Sequence, residues 1–169
     1  MRFVFSAVFC LLLVFSVFGQ SSNKQIAEDF SATDLNGQAF SLNDFRGKVV
    51  LVSFWSTRCA ICHSEIPKLN RMAEKYNGKD VVFIGLASDN QTKINDFLKK
   101  NPFNFRVAPD SFGVLLKYAD RDTNGNINMG YPSHFLINQK GEIESKKSGW
   151  DKTASLDAQI SRLLNSNKV

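Results

Sequence analysis

Two kinds of apolar run alternate along the chain, and their periods predict its elements. "KVVLVSFW" (48–55) and "DVVFIGLA" (80–87) are nearly continuous and rich in β-branched residues, which predicts strands buried on both faces. Between them Cys62, Ile66, Leu69, Ala73 and Tyr76 recur at spacings of 4, 3, 4 and 3, one apolar face of a helix that Asn77-Gly78 ends. Pro67 lies inside that helix and predicts a kink. Residues 90–101 predict a second helix with Ile94, Phe97 and Leu98 inward, stopped by Pro102. A short strand near Phe105–Val107 and a helical turn or two over 111–119 follow. "SHFLIN" (133–138) and "EIESKKSG" (142–149) predict an antiparallel pair about the turn at 138–141. The last helix spans 153–165, with Leu156, Ile160, Leu163 and Leu164 inward and Thr153 as N-cap. Upstream, Asn36-Gly37 between two alternating stretches predicts a hairpin. The order implies an α/β fold: a mixed central sheet, helices on both faces and an N-terminal β-hairpin extension.

The first 19 residues break this pattern. After Arg2 comes an apolar run holding five of the chain's 15 Phe, ending at Gly19 before the polar "QSSNK". That is the layout of a secretory signal peptide. The competing reading, a retained anchor, asks for about 20 apolar residues; this run is shorter and broken by Ser6 and Ser16. Residues 1–19 are therefore expected to be a signal peptide, 20–28 a flexible lead-in and 29–166 the folded domain. The destination is export, to the periplasm in a Gram-negative host and otherwise to the outer face of the membrane or beyond. Cys10 follows no lipobox-like sequence and leaves with the signal. The net charge of +5 drops to +4 without Arg2. Its basic residues are scattered, with no block interleaved with aromatics, which argues against nucleic acid as a partner.

Export leaves two cysteines, in "CAICH" (59–63). As C-x-x-C they are a dithiol; as C-x-x-C-H they are an attachment site for a c-type haem. Their place in the pattern bears on the choice. Cys59 falls where a buried strand gives way to a helix, and reaction sites of α/β sheets gather at the carboxyl ends of strands. The unpaired N–H groups of a helix N-terminus favour a thiolate. Cys62 belongs to the apolar face and is the more buried sulfur. The asymmetry makes Cys59 the nucleophile that attacks a disulfide and Cys62 the residue that resolves the mixed disulfide. Arg58 and His63 add positive charge nearby as modulators. The haem reading needs a second axial ligand, for which His134, Met129 and Met72 are candidates, and a porphyrin pocket that the element order does not offer.

The stretches "VVLVSFWSTRCAICHSEIPKL", "VVFIGLASD" and "GYPSHFLINQKGEI" resemble the thioredoxin superfamily, and within it the exported TlpA/ResA-like reductases, over roughly residues 26–166. The resemblance implies a thioredoxin-like fold and a thiol–disulfide oxidoreductase that needs no cofactor beyond a Cys59–Cys62 redox-active disulfide. It implies protein disulfide substrates, a membrane thiol donor, and a task such as reducing apocytochrome c before haem attachment. It makes Pro132 a cis-proline facing the cysteines. Tyr131 before it becomes the residue whose backbone pairs with substrate, and Trp55 joins them on the substrate side.

The chain departs from the family in three places. Arg58 stands where many members have Trp. Ser53 stands where thioredoxin carries a buried acid, so Asp89, just after the second buried strand, becomes the candidate proton acceptor for Cys62, or else the cap of the next helix. Finally, "DRDTNGNINMGY" (120–131) is longer than the usual link and begins like a calcium loop at Asp120, Asp122 and Asn124. The twelfth position, which wants a bidentate Glu, is Tyr131, and an Asn/Gly/Asp-rich surface loop explains the same residues without metal. Two rivals share the fold. A thiol peroxidase of the peroxiredoxin type sets its nucleophile in Pro-x-x-x-Thr-x-x-Cys, and "FWSTR" lacks that proline. A non-catalytic binding module would have no use for the dithiol.

Overall fold

The computed structural model describes residues 24–150 and 152–166; the expected signal peptide lies outside them. Among the described residues no helix is long and apolar enough to cross a membrane.

The two apolar runs are strands β3 (Val49–Trp55) and β4 (Val81–Ala87), parallel neighbours at the centre of a five-stranded sheet. An N-terminal hairpin, β1 (Ser31–Thr33) and β2 (Ala39–Ser41), precedes them. Its turn uses Gly37 at φ 78° and is held by Asp34, whose Oδ1 accepts the N–H groups of Asn36 and Gln38. Strand β5 (Arg106–Ala108) joins the edge beside β4. Two strands of a small hairpin, β6 (Asp120–Arg121) and β7 (Ile127–Asn128), fill the 120–131 link. Strands β8 (Ser133–Ile137) and β9 (Ile143–Ser148) complete an order of β5-β4-β3-β8-β9, with β8 antiparallel to β3. This is the thioredoxin-like α/β fold with its N-terminal hairpin.

Alternation along β3 splits the core. Val50, Val52 and Phe54 face the hairpin and helix α3 (Phe112–Tyr118), with Phe135 and Tyr118 packed edge to face. Val49, Leu51 and Trp55 face helices α1 (Ala60–Lys75), α2 (Gln91–Leu98) and α4 (Thr153–Ser166). Helix α1 is continuous through Pro67, which lies on its exposed side.

Some boundaries differ from expectation. Helix α2 ends at Leu98, and Thr153 is the buried first residue of α4 rather than its cap. Residues 24–28, expected in a flexible lead-in, are instead pinned to the sheet. Ile26 bridges to Glu142, and Ala27, 3% exposed, donates to the Gly141 carbonyl. Lys24 pairs with Glu144, and the Tyr118 hydroxyl donates to the Glu28 carbonyl at 2.6 Å. A strand edge offers unpaired N–H and C=O groups, and this segment takes up those at the start of β9.

Candidate active site

Strand β3 delivers the chain to the start of α1, and Cys59 is the helix N-cap, its Sγ accepting the Cys62 N–H at 3.1 Å. Ala60 follows as the first helical residue, so the sulfur sits on the unpaired N–H groups of the first turn. Cys59 and Cys62 are joined as a disulfide, with their Cα atoms 5.2 Å apart. Cys59 is half-buried, whereas Cys62 is 3% exposed and packs among Trp55, Ala87, Ile94 and Val107.

Cys59 opens onto a surface groove of about 560 Å³ lined by Ser56, Arg58, Ala60, Ile61, Ser88 and Tyr131. The Tyr131–Pro132 peptide is cis. Tyr131 reaches the groove, while Pro132 is buried and its carbonyl accepts the Gly149 N–H. Trp55, grouped with them on the substrate side, does not line the groove. It is 3% exposed and lies beneath Cys62, stacked on Phe103 at 4.8 Å and tilted against Phe97. Being the inward residue at the end of a central strand, it belongs to the core. Arg58 is exposed at the groove. His63 donates from Nε2 to the Thr57 carbonyl at 2.9 Å and packs on Phe97. That turns its ring back onto the loop before Cys59 and ties it to the dithiol's own framework.

Asp89, 6% exposed, does not cap α2; Asn90 does, accepting the Lys93 N–H. The Asp89 carboxylate instead crosses to the active-site turn and accepts the Thr57 N–H at 2.7 Å. Burial pushes this carboxyl up, but the hydrogen bonds from Thr57 and Ser56 outweigh it and leave the group below the usual carboxylate range.

A second acid escaped the sequence reading. Glu65, one turn after Cys62 on the buried face of α1, is 1% exposed. Its Oε2 lies 2.9 Å from Nε2 of His134, which is 0% exposed, and His134 Nδ1 lies 2.9 Å from Ser53 Oγ. Glu65, His134, Ser53, Cys62, Trp55 and Pro132 share the lining of one internal cavity of about 10 Å³. A buried acid, absent from β3 at Ser53, thus lies on the helix that covers it. A Glu three residues after Cys62 in an apolar stripe was the available signal, because a carboxylate there must find a buried partner.

In the 120–131 link, both Asp122 oxygens are taken up by the loop itself, Oδ1 by the N–H groups of Asn124 and Asn126 and Oδ2 by the Asn126 amide. Asp120 pairs with Lys146. Among the described residues no group of three or more His, Cys, Asp or Glu is arranged to hold a metal ion.

The family model of the AhpC/TSA family matches residues 24–146. The chain belongs to the AhpC/TSA family. It is 33% identical over 138 residues to the thiol-disulfide oxidoreductase ResA of Bacillus thuringiensis subsp. konkukian, covering 81% of this chain and 76% of the relative. It is 31% identical over 123 residues to the thioredoxin-like protein YneN of Bacillus subtilis, covering 71% and 68%. Among solved structures, a candidate thiol:disulfide interchange protein DsbE from Chlorobium tepidum superposes with a TM-score of 0.71 at 27% identity, over 83% of this chain and 96% of that one. A thiol:disulfide interchange protein from Bacteroides sp. gives 0.70 at 25% identity, over 86% and 91%. With its dithiol closed across the first turn of α1, this family member is a thiol–disulfide oxidoreductase whose redox centre is the Cys59–Cys62 disulfide.

Proposed function

We propose that the protein is an exported reductant of protein disulfides. Cys59 attacks a substrate disulfide lying along the Tyr131 groove, and Cys62 resolves the mixed disulfide. The observation that carries this reading is the contrast between the two sulfurs: one on the helix N-terminus at a groove, the other buried behind it. The residues between them, Ala60 and Ile61, offer no charge or hydrogen-bonding side chain to hold a thiolate in the way strongly oxidising sites do. A reducing or mildly exchanging pair follows.

Glu65 is the proton acceptor for Cys62 in this scheme. It shares the apolar face and the cavity with the buried sulfur, and its Oε1 has no hydrogen-bond partner. Asp89, expected in that role, is a weaker base because its carboxyl is held low; it fixes the Ser56–Thr57 turn instead.

Residues 1–19 direct export, and outside the cytoplasm a membrane thiol donor returns electrons to the pair. The C-x-x-C-H of an apocytochrome c, oxidised before haem attachment, is a substrate of matching chemistry. The test is stoichiometric. Pre-reduced protein mixed with insulin is expected to reduce one insulin disulfide per Cys59–Cys62 pair closed. A reduction potential near ~ −120 mV, at the strongly oxidising end, would contradict the direction.

A further inference from the structure

We propose that His134 is a positioning residue for the exchange reaction, and that His134 and Ser53 hold Glu65 in place to take up the Cys62 proton. The inference rests on Glu65 as the acceptor for Cys62 and goes beyond it. Glu65 and His134 are 1% and 0% exposed, so neither can exchange a proton with water directly. Each is held by the other at 2.9 Å, and His134 is held at its far nitrogen by Ser53. A hydroxyl both donates and accepts. Ser53 can therefore donate to Nδ1 and fix the tautomer that points Nε2–H at Glu65.

The resolving step balances as follows. Cys62 S–H gives its proton to the free Oε1 of Glu65, directly or through one water; the cavity of about 10 Å³ is near the lower limit for one. The Cys62 thiolate attacks Cys59 Sγ. The Cys59–Cys62 bond forms, the bond from Cys59 to the substrate sulfur breaks, and the substrate leaves as a thiolate. The dithiol's two electrons end on the substrate. Before the step, His134 donates from Nε2 to the carboxylate, and Nδ1 accepts the Ser53 O–H. After it the proton stays on Glu65 Oε1, while Nε2 still donates to Oε2 and Ser53 still donates to Nδ1, so His134 and Ser53 hold the carboxyl in place in both states. The protonated carboxyl leaves no charge in the core. Other charged groups on the packed elements are Lys147, register-paired with His134 on β9, and Lys68, one turn beyond Glu65; both are partly exposed.

The experiment follows the resolving step by stopped flow, from a mixed disulfide between Cys59 and a small thiol, as a function of pH. Four proteins are compared: wild type, His134→Gln, Ser53→Ala and Glu65→Gln. Gln at 134 keeps a donor toward Glu65 but cannot titrate. Wild type is expected to show an inflection belonging to the held Glu65. His134→Gln should shift it and resolve about tenfold more slowly, Ser53→Ala should shift it, and Glu65→Gln should abolish it. If Glu65→Gln alone changes the profile, the role of His134 is overturned. If none of the three changes it, Glu65 is not the acceptor and both assignments fall. Should His134→Gln not fold, Ser53→Ala decides: an unchanged inflection there overturns the proposal.

Discussion

The Asp89 carboxylate, just beyond the end of β4, accepts the backbone N–H of Thr57, two residues before Cys59, at 2.7 Å. This bond joins the ends of the two central strands and sets the turn that presents Cys59. Asp89→Ala leaves the Thr57 donor unpaired and is expected to cost about 1–3 kcal/mol of stability. It should also slow disulfide exchange by loosening the turn. The sign with pH is fixed by the depressed carboxyl. Its stabilisation is complete above the unfolded value of ~3.9 and is lost as pH falls through the folded value. The stability gap between wild type and Asp89→Asn, from urea titrations across the acid range, is therefore expected to narrow toward low pH.

Gly85 lies under the Trp55 ring. A Cβ there would stand 3.1 Å from Trp55 Nε1 and 3.5 Å from both Phe105 and Val107. Gly85→Ala must push back a ring that is stacked on Phe103 and packed against Cys62. The expected cost is about 1–3 kcal/mol, with a change in tryptophan fluorescence that reports the displaced ring. Unchanged emission and stability would show that the layer beneath Cys62 is looser than described.

Burial pushes the Glu144 carboxyl up, but Lys24 and Arg162 outweigh it and hold the group below the usual range. Glu144→Gln should release the N-terminal segment from β9. The Ala27 N–H, which donates to Gly141, is expected to exchange with deuterium about fivefold faster, corresponding to ~1 kcal/mol for ion pairs with exposed partners. Exchange elsewhere in the sheet should be unchanged.

His63→Ala removes the donor to the Thr57 carbonyl and the ring on Phe97. The exchange rate is expected to fall several-fold, with the protein still folded and the Cys59–Cys62 disulfide still formed. Loss of disulfide formation would assign His63 a larger part than fixing the loop.

Local pattern carried much of the architecture and the two sulfurs. The β-branched runs of β3 and β4 and the spacing that puts Cys62 on the inner face of α1 are each legible within a few residues, whereas Pro132 as a cis-proline comes only with the family resemblance. What stayed hidden are pairings across the fold. Asp89 reads locally as a helix cap because Thr57 lies 32 residues away. His134 reads only as a candidate haem ligand because Glu65 lies 69 residues away and Ser53 on a third element. Trp55 reads as a residue near the site, and only the packing of α2 and Phe103 over it shows that it is core. The pinning of residues 24–28 depends on an edge strand more than a hundred residues later. Polar side chains have no periodicity to announce their partners; the fold chooses them.

The central claim is that Cys59 attacks and Cys62 resolves. Cys62→Ser and Cys59→Ser variants, expressed in the native host and quenched with acid and alkylating agent, test it directly. Cys62→Ser is expected to accumulate mixed disulfides through Cys59, dispersed by reductant on gels, while Cys59→Ser accumulates none. Trapping by Cys59→Ser alone would reverse the roles and contradict the account.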